Sequence, residues 1–310
     1  MTKETLSTCL LCGQDEKFKI VQRCADWSHP KDELFEYVMC PNCGLVFQNP
    51  RPTREYIKHY YYDDDISYLP ETYNAISKFF IKMRTRREIS GYNNLLGKKT
   101  GVRVIEIGSS YGSYLKLLKD YGGYEVLGIE FNEQAALLGR RLYDIKILSK
   151  PIYDIEIVPE FFDIVILRHV LEHFHDPDFV LKFANKVLKD GGLLVIDVPA
   201  FKTWESKMFS RYWVGWEAPR HLFAYTQDTL SMFLRKHHFQ IKDVKYGGVP
   251  NQFIMSIRNY LSSHTYPDTL KNFFNLKNNM LLLLFTPVAI AMSILNQSGR
   301  FRMIGIKQEL

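Results

Sequence analysis

Four of the five cysteines stand in two C-x-x-C pairs, Cys9 with Cys12 and Cys40 with Cys43. Together they offer four thiolates, which is the donor set of a closed, structural Zn²⁺ site. The stretches ELFEYVMC and GLVFQN around the second pair have the composition of strands. The spacing therefore predicts a zinc ribbon over residues 1–52, with Cys24 as a small core residue. Four unconnected buried cysteines would leave the matched spacing unexplained.

The charge of this segment bears on its partner, because zinc ribbons often bind nucleic acid. Residues 1–50 contain seven acidic and five basic side chains. Phosphate binding requires the opposite balance. The net charge of +6 over the whole chain is only mildly basic. We therefore expect no nucleic-acid partner, and a ribbon that is structural or covers a substrate.

A second chemical candidate is the stretch VRVIEIGSSYGSYLKLL, in which Gly108, Ser110 and Gly112 form a turn between a predicted strand and a predicted helix. The letters G-x-S-x-G match the nucleophile elbow of α/β-hydrolases, with Ser110 as nucleophile. That elbow follows earlier strands of its sheet, and here no β–α unit precedes the turn. The dinucleotide fingerprint G-x-G-x-x-G also fails, because Ser110 and Ser113 replace two of its glycines. A nucleotide-binding turn of another kind is the better interpretation.

A third candidate is HVLEH, which contains His169, Glu172 and His173. It matches the inverted zinc-protease motif H-x-x-E-H. That motif needs both histidines on one helix, whereas His169 lies at the end of a predicted strand. We therefore treat the match as accidental and keep Glu172 and His173 as candidates for acid–base chemistry.

The elements that position these residues alternate regularly from Val102 onward. The apolar stretches VRVIEIG, EVLGIE, DIKIL, FFDIVILRHV and LLVIDVP predict buried strands, separated by SYLKLLKDYG, NEQAALLGRRLY and DPDFVLKFANKVLKDGG as helices. This pattern predicts an α/β fold with a doubly wound parallel sheet over residues 99–310. Residues 53–98 form a helical connector, whose helix we expect to turn Phe79, Phe80 and Met83 toward a core.

Composition sets the broad class of the protein. The chain is 46% hydrophobic and 24% charged, as is usual for globular domains. The start, MTKETLSTCLLCGQDEK, is polar and has no apolar core, so no signal peptide is expected. We expect a cytoplasmic protein.

Several of these motifs together resemble the class I S-adenosylmethionine-dependent methyltransferases. Their cofactor loop, E/D-x-G-x-G-x-G, is similar to the series Glu106, Gly108, Ser110 and Gly112, with serine at the middle glycine. The resemblance implies a Rossmann-like methyltransferase sheet, with S-adenosyl-L-methionine as cofactor.

Two further marks carry the same resemblance. Glu130 ends the second strand, 22 residues after Gly108, where a carboxylate can accept the ribose hydroxyls. FDIVILRHVLEHFHDP resembles the fourth-strand region, which implies that backbone near Arg168 and His169 faces the cofactor amino group. LKDGGLLVIDVP resembles the glycine turn and fifth strand.

The acceptor is suggested by a tryptophan-rich segment after the fifth strand. Three of the four tryptophans lie there, beside polar groups that suit a ligand pocket. EAPRHLFAYT and CGLVFQNPRPT resemble zinc-ribbon methyltransferases of polysaccharide and sugar modification. The resemblance implies a small-molecule or saccharide acceptor, either a sugar nucleotide or a lipid-linked glycan, in polysaccharide or cell-envelope biosynthesis. For the catalytic base we predict His173, oriented by Glu172, with His221 as the alternative.

Two other functions stay open at this point. One is a zinc-ribbon RNA methyltransferase, which the acidic ribbon disfavours. The other is a non-catalytic binding protein of the same fold, which Ser110 in the cofactor loop leaves open.

Residues 280–295, MLLLLFTPVAIAMSIL, carry no charge. Sixteen residues are fewer than the roughly 20 that span a bilayer, and Pro287 interrupts them. We expect a buried helix within an apolar helical insertion near residues 252–297, between the last two antiparallel strands. The alternatives are a peripheral contact with the inner face of a membrane, favoured by flanking Lys and Arg residues, and a homodimer contact.

Overall fold

The computed structural model describes residues 2–15, 17–27, 33–61 and 75–309, with the side chains of residues 75–77 left aside. Most of the first half of the predicted connector, residues 62–74, lies outside this range. The N-terminal strands are β1 (Lys3–Glu4), β2 (Lys19–Ala25), β3 (Leu34–Met39), β4 (Val46–Gln48) and β5 (Arg51–Pro52). β2, β3 and β4 form an antiparallel sheet, and β1 pairs with β5.

The remaining strands are β6 (Arg103–Ile107), β7 (Glu125–Ile129), β8 (Lys146–Leu148), β9 (Phe162–Arg168), β10 (Leu188–Pro199), β11 (Phe223–Ala224), β12 (Phe239–Tyr246) and β13 (Arg300–Lys307). Seven of them form one sheet in the order β12-β13-β10-β9-β6-β7-β8. The five adjacent strands β10, β9, β6, β7 and β8 are parallel to one another. β13 runs antiparallel to both of its neighbours, β10 and β12. The predicted doubly wound α/β sheet is thus confirmed, and it is mixed at one end.

The helices are α1 (Ala75–Leu96), α2 (Ser113–Gly122), α3 (Glu133–Tyr143), α4 (Pro177–Val187), α5 (Trp204–Phe209), α6 (Gln227–Lys236), α7 (Pro250–Ser262), α8 (Asp268–Phe273) and α9 (Asn279–Ile294). Buried residues of α1, α2 and α3 pack on one face of the large sheet, and those of α4 and α6 pack on the other. Successive side chains of a strand point to opposite faces, so the apolar strands β9 and β10 supply both cores. Strand order reverses between β6 and β9, where the carboxyl ends of the strands leave a crevice for a ligand.

The N-terminal sheet is not separate from the rest of the chain. β11 pairs with β4, which extends the sheet to the order β11-β4-β3-β2. Trp213 and Trp216 share a third apolar core with Phe35 and Tyr37 of β3. The tryptophan-rich segment therefore packs against the N-terminal sheet. The predicted division of the chain at residues 52 and 98 stays a prediction.

Two predictions about packing are wrong. Phe79, Phe80 and Met83 of α1 are 59%, 65% and 51% exposed, because the helix buries Ile89 and Tyr92 instead. The apolar helix α9 is not buried either. Leu283 and Ile294 are 75% and 76% exposed, and its buried residues are Leu281 and Ala289. Among the described helices, none is both long enough and apolar enough to cross a bilayer.

Candidate active site

The turn after β6 is held against the end of β7 by backbone hydrogen bonds. The amides of Gly108 and Ser109 both donate to the carbonyl of Ile129, at 2.8 and 3.0 Å. Gly108 has a φ of +71°, and a Cβ there would stand 2.5 Å from Cγ2 of Val170. Ser110 also adopts a left-handed backbone, with φ 49°. Glycine adopts that conformation without the cost that serine bears, so the departure from the family motif lies at a strained position.

Glu130, directly after β7, is tied to this turn. Its carboxylate accepts hydrogen bonds from the amides of Ser110 and Asn132, each at 2.8 Å. The side chain is 7% exposed. Burial raises the pKa of Glu130, and the backbone donors act in the opposite direction. The predicted cofactor residues Gly108, Ser110, Gly112 and Glu130 thus lie together at the crevice.

A chain of buried charges crosses the strand ends beneath the turn. Nη1 of Arg168 lies 3.9 Å from Oε1 of Glu106, and its Nε lies 3.5 Å from Asp197. Arg302 donates two hydrogen bonds of 2.7 Å to Asp197. Burial raises the pKa of Glu106 to about 7, against the opposing effect of Arg168. Oε2 of Glu106 is buried and makes no hydrogen bond with the described residues.

Asp197 and Arg302 were not predicted as partners of the cofactor candidates Glu106 and Arg168. A usable signal was present, because each of these four charged residues stands in a short, mainly apolar stretch: VIEIG, VILRH, VIDVP and FRMIGI. Charged side chains are rarely buried unless they are paired. His169, which follows Arg168, has a φ of 53°, and its amide donates to the carbonyl of Asp197 at 2.8 Å.

The three predicted catalytic residues form a second cluster. Glu172 and His173 lie in a 3-10 helix, Leu171–His173, and His221 comes from the tryptophan-rich segment. The rings of His173 and His221 are 4.6 Å apart, edge to face. Oε1 of Glu172 lies 3.9 Å from Nε2 of His221 and 3.6 Å from Nδ1 of His169. Glu172 therefore joins the catalytic cluster to the cofactor residues.

Hydrogen bonds define which nitrogen of each histidine is available. Nδ1 of His221 lies 2.8 Å from the carbonyl oxygen of Gly215, and Nδ1 of His173 lies 3.1 Å from that of Arg220. A carbonyl can only accept, so each Nδ1 donates and each Nε2 is left for chemistry. Burial, followed by the neighbouring His221, lowers the pKa of His173 to about 4. His173 is therefore neutral at neutral pH and able to accept a proton.

Glu172 is the most enclosed member of the cluster. It is fully buried, and neither carboxylate oxygen makes a hydrogen bond with the described residues. Burial alone would raise its pKa, but His169, followed by His221, lowers it overall. Ligand atoms of Glu172, His173 and His221 lie within 4.8 Å of one another. The arrangement suits a carboxylate that stabilises a protonated histidine, and its donor set could also hold a cation.

The N-terminal sheet positions this cluster. The residues of the cluster were predicted, but this contact with the N-terminal sheet was not. The hydroxyl of Tyr37 lies 2.7 Å from the carbonyl of His221 and 3.0 Å from that of Trp216. The amide of Leu222 donates to the carbonyl of Glu172 at 2.8 Å. These bonds fix the segment that carries His221 between β3 and the loop after β9.

The four paired cysteines come together at one end of the N-terminal sheet. The Sγ atom of Cys9 lies 3.5 Å from that of Cys43, and the Sγ atom of Cys12 lies 3.6 Å from that of Cys40. A tetrahedral Zn²⁺ with Zn–S bonds of about 2.3 Å requires sulfurs about 3.8 Å apart, so the cluster fits zinc. Two matching turns, closed by glycine amides onto the carbonyls of Cys9 and Cys40, present the thiols. Cys24 lies apart, fully buried in the third core.

Comparison with known proteins agrees with this architecture. A family model described as a methyltransferase domain matches residues 80–244. A candidate sarcosine dimethylglycine methyltransferase from Galdieria sulphuraria superposes with a TM-score of 0.51 at 12% identity, covering 73% of this chain and 86% of that one. At this identity the likeness shows the fold alone, which is the Rossmann-like methyltransferase fold.

Two further solved structures are similar in shape. One is a SAM-dependent methyltransferase from Archaeoglobus fulgidus, with a TM-score of 0.49 and 19% identity, covering 74% of this chain and 93% of that one. The other is phosphoethanolamine N-methyltransferase 2 from Haemonchus contortus, bound to phosphomonomethylethanolamine and S-adenosylhomocysteine. Its TM-score is 0.48 at 17% identity, covering 72% of this chain and 53% of that one. No curated protein matches the chain.

Proposed function

The chain belongs to the family of methyltransferase domains and is an S-adenosylmethionine-dependent methyltransferase, and we propose that its acceptor is a small molecule or a saccharide. The acceptor class we favour is a sugar nucleotide or lipid-linked glycan of polysaccharide or cell-envelope biosynthesis. The observation that supports the proposal is the 3.6 Å approach of Nδ1 of His169 to Oε1 of Glu172, which joins a predicted cofactor residue to the histidine cluster.

We propose that the cofactor lies across the carboxyl ends of β6, β7 and β9. The left-handed turn at Gly108 and Ser110 would let backbone approach the methionine part of the cofactor, and Gly112 directly precedes α2. The carboxylate of Glu130 accepts the ribose hydroxyls with the lone pairs that its two amide partners leave free. Backbone near Arg168 and His169 faces the cofactor amino group, and the pair Glu106–Arg168 keeps that strand end in place.

In the proposed reaction, Nε2 of His173 accepts the proton of an acceptor hydroxyl. Bound S-adenosylmethionine would supply the methyl group, which would pass from its sulfonium to the hydroxyl oxygen and leave S-adenosylhomocysteine. Glu172, held ionised, stabilises the imidazolium that forms. His221 is the alternative base, since its Nε2 faces the same carboxylate.

The zinc site has a positioning role in this proposal. Zn²⁺ on Cys9, Cys12, Cys40 and Cys43 would stabilise the hairpin of β3 and β4 on which Tyr37 stands. Tyr37 in turn fixes the carbonyl of His221. The ribbon therefore acts on the acceptor side of the site rather than as a reader of nucleic acid.

We also propose that α9 contacts the inner face of a membrane. From Met280 onward the exposed side chains of α9 are apolar, and five of them are more than half exposed: Met280, Leu283, Leu284, Ile290 and Ile294. Lys277 precedes the helix, which favours an anionic surface. Sedimentation with anionic vesicles, lost in Leu283→Glu, would support this contact, while a salt-stable dimer in light scattering would assign the same face to a second copy.

Methyl transfer from labelled S-adenosylmethionine tests the proposal directly. Acceptors would be screened among nucleotide sugars and lipid-linked saccharides, with structured RNA as a separate arm. His173→Asn should lower the turnover rate about 10²- to 10⁴-fold and leave cofactor affinity unchanged. His175→Asn is the matched control, because His175 is buried two residues away and its ring hydrogen-bonds to the carbonyl of Pro52 rather than to the cluster. Salt-sensitive transfer to RNA alone would contradict the saccharide proposal, and cofactor binding without any turnover would favour a binding protein.

A further inference from the structure

A cavity of about 890 Å³ lies between α1 and the β10, β13 and β12 edge of the large sheet. It occupies the face of the sheet that carries α1, away from α4 and α6. Seven arginine and lysine side chains line it, against three carboxylates. The cavity is therefore positively charged, although the chain as a whole is only mildly basic.

Four of these cations already have carboxylate partners. Arg302 binds Asp197 and also lies 2.9 Å from Glu88, which accepts a further bond of 3.0 Å from Arg84. Arg168 lies beside Asp197, and Lys245 pairs with Asp243. These contacts use all three carboxylates of the cavity, so none is left to neutralise the remaining cations.

Three cations of the cavity, Arg87, Lys242 and Arg300, make no ion pair within the described part of the chain. Arg300 is the most confined of them. It is half-buried, and its Nε donates to the carbonyl of Gly247 at 3.2 Å. Burial and the neighbouring Arg84 lower the pKa of Arg300 to about 10, so its surroundings disfavour the charge that it carries. An anion in the cavity would stabilise the charged form of Arg300, since it would supply the hydrogen-bond acceptors that the guanidinium lacks there.

We propose that this cavity binds the phosphate or diphosphate group of the methyl acceptor, through Arg87, Lys242 and Arg300. The inference rests on the proposed function and narrows the acceptor to a phosphorylated molecule. Its placement supports this. The cavity reaches Arg168 and His169 at the cofactor side, and Gly248 and Ser293 at the apolar helix α9, to which Ser293 belongs. A phosphate held there lies between the proposed methyl donor and the proposed membrane contact.

Calorimetry with inorganic pyrophosphate on the full, zinc-loaded chain tests the cavity. The double variant Arg87→Ala/Lys242→Ala removes two exposed cations, so its fold should survive. Pyrophosphate binding should weaken about tenfold or more, while S-adenosylmethionine affinity stays unchanged. Lys182→Ala/Lys186→Ala is the matched control. It removes two exposed charges from α4, on the opposite face of the sheet, and should bind as the wild type does.

The outcomes separate this inference from the proposed function. Wild-type protein that binds S-adenosylmethionine but not pyrophosphate overturns the cavity alone. Equal binding by the double variant also overturns it, and a loss of S-adenosylmethionine affinity in that variant assigns the cations to the cofactor carboxylate instead. If pyrophosphate binds as expected, uridine diphosphate and phosphatidylcholine vesicles containing a polyprenyl diphosphate are then compared, and the tighter of the two identifies the source of the phosphate.

Discussion

Gly108 gives a prediction whose magnitude follows from the structure. In Gly108→Ala the new Cβ stands 2.5 Å from Cγ2 and 3.0 Å from Cβ of Val170. Alanine must also hold a φ of +71°, which costs about 1–2 kcal/mol. Overpacking of this kind costs a further 1–3 kcal/mol, roughly. We therefore expect a loss of about 2–5 kcal/mol in the free energy of unfolding.

Two further variants separate the backbone cost from the steric cost. Gly123, at the end of α2, has a φ of +64°, and a Cβ there would meet no atom within 4 Å, so Gly123→Ala should show the backbone cost alone. Adding Val170→Ala to Gly108→Ala should recover the steric part, about 1–3 kcal/mol, as a favourable coupling.

Urea unfolding of the zinc-loaded variants measures these differences. If Gly108→Ala and Gly123→Ala lose the same stability, or if Val170→Ala recovers none of it, the turn after β6 does not pack on the loop after β9. In that case the contact between this turn and Val170, the residue before the 3-10 helix of Glu172 and His173, would lose its support.

Three other predictions concern the metal and the buried charges. Cys40→Ser should lower zinc content from one ion per chain to none by elemental analysis, whereas Cys24→Ser should keep it. Asp197→Asn should cost about 3–5 kcal/mol at pH 7 in urea unfolding, because Arg302 loses its buried partner. Arg302 holds the pKa of Asp197 well below its usual range, so the wild-type advantage should shrink as pH falls below about 4. Burial lowers the pKa of His173 to about 4 in the folded protein, below the unfolded value of about 6.5. Wild-type stability should therefore fall as the pH is lowered from about 6.5 to about 4, and His173→Asn should flatten that fall.

The large sheet was predictable because local signals and tertiary structure agree there. The predicted helix SYLKLLKDYG coincides with α2, since a glycine precedes it and another ends it. The strands are apolar on both faces, as buried parallel strands must be. The cofactor turn was recognisable because its residues are close in sequence.

The features that the sequence did not reveal depend on distant contacts. Tyr37 and His221 are 184 residues apart, so no local pattern joins them. The cavity draws its cations from α1, β9, β12 and β13, which are separate in the chain. Burial of α9 was wrongly expected because apolar composition does not say whether a partner covers the helix, and α1 buries a face other than the one with Phe79 and Phe80.

Calorimetric titration of S-adenosylmethionine into the zinc-loaded chain tests the central claim most directly. We expect micromolar affinity, a binding free energy of about −8 kcal/mol, that is lost in Glu130→Ala and kept in Glu133→Ala. Glu133→Ala is the control because this substitution removes the same charge from the exposed start of α3, three residues from Glu130. Absence of binding by folded wild-type protein, or equal loss in both variants, would contradict the cofactor site described here.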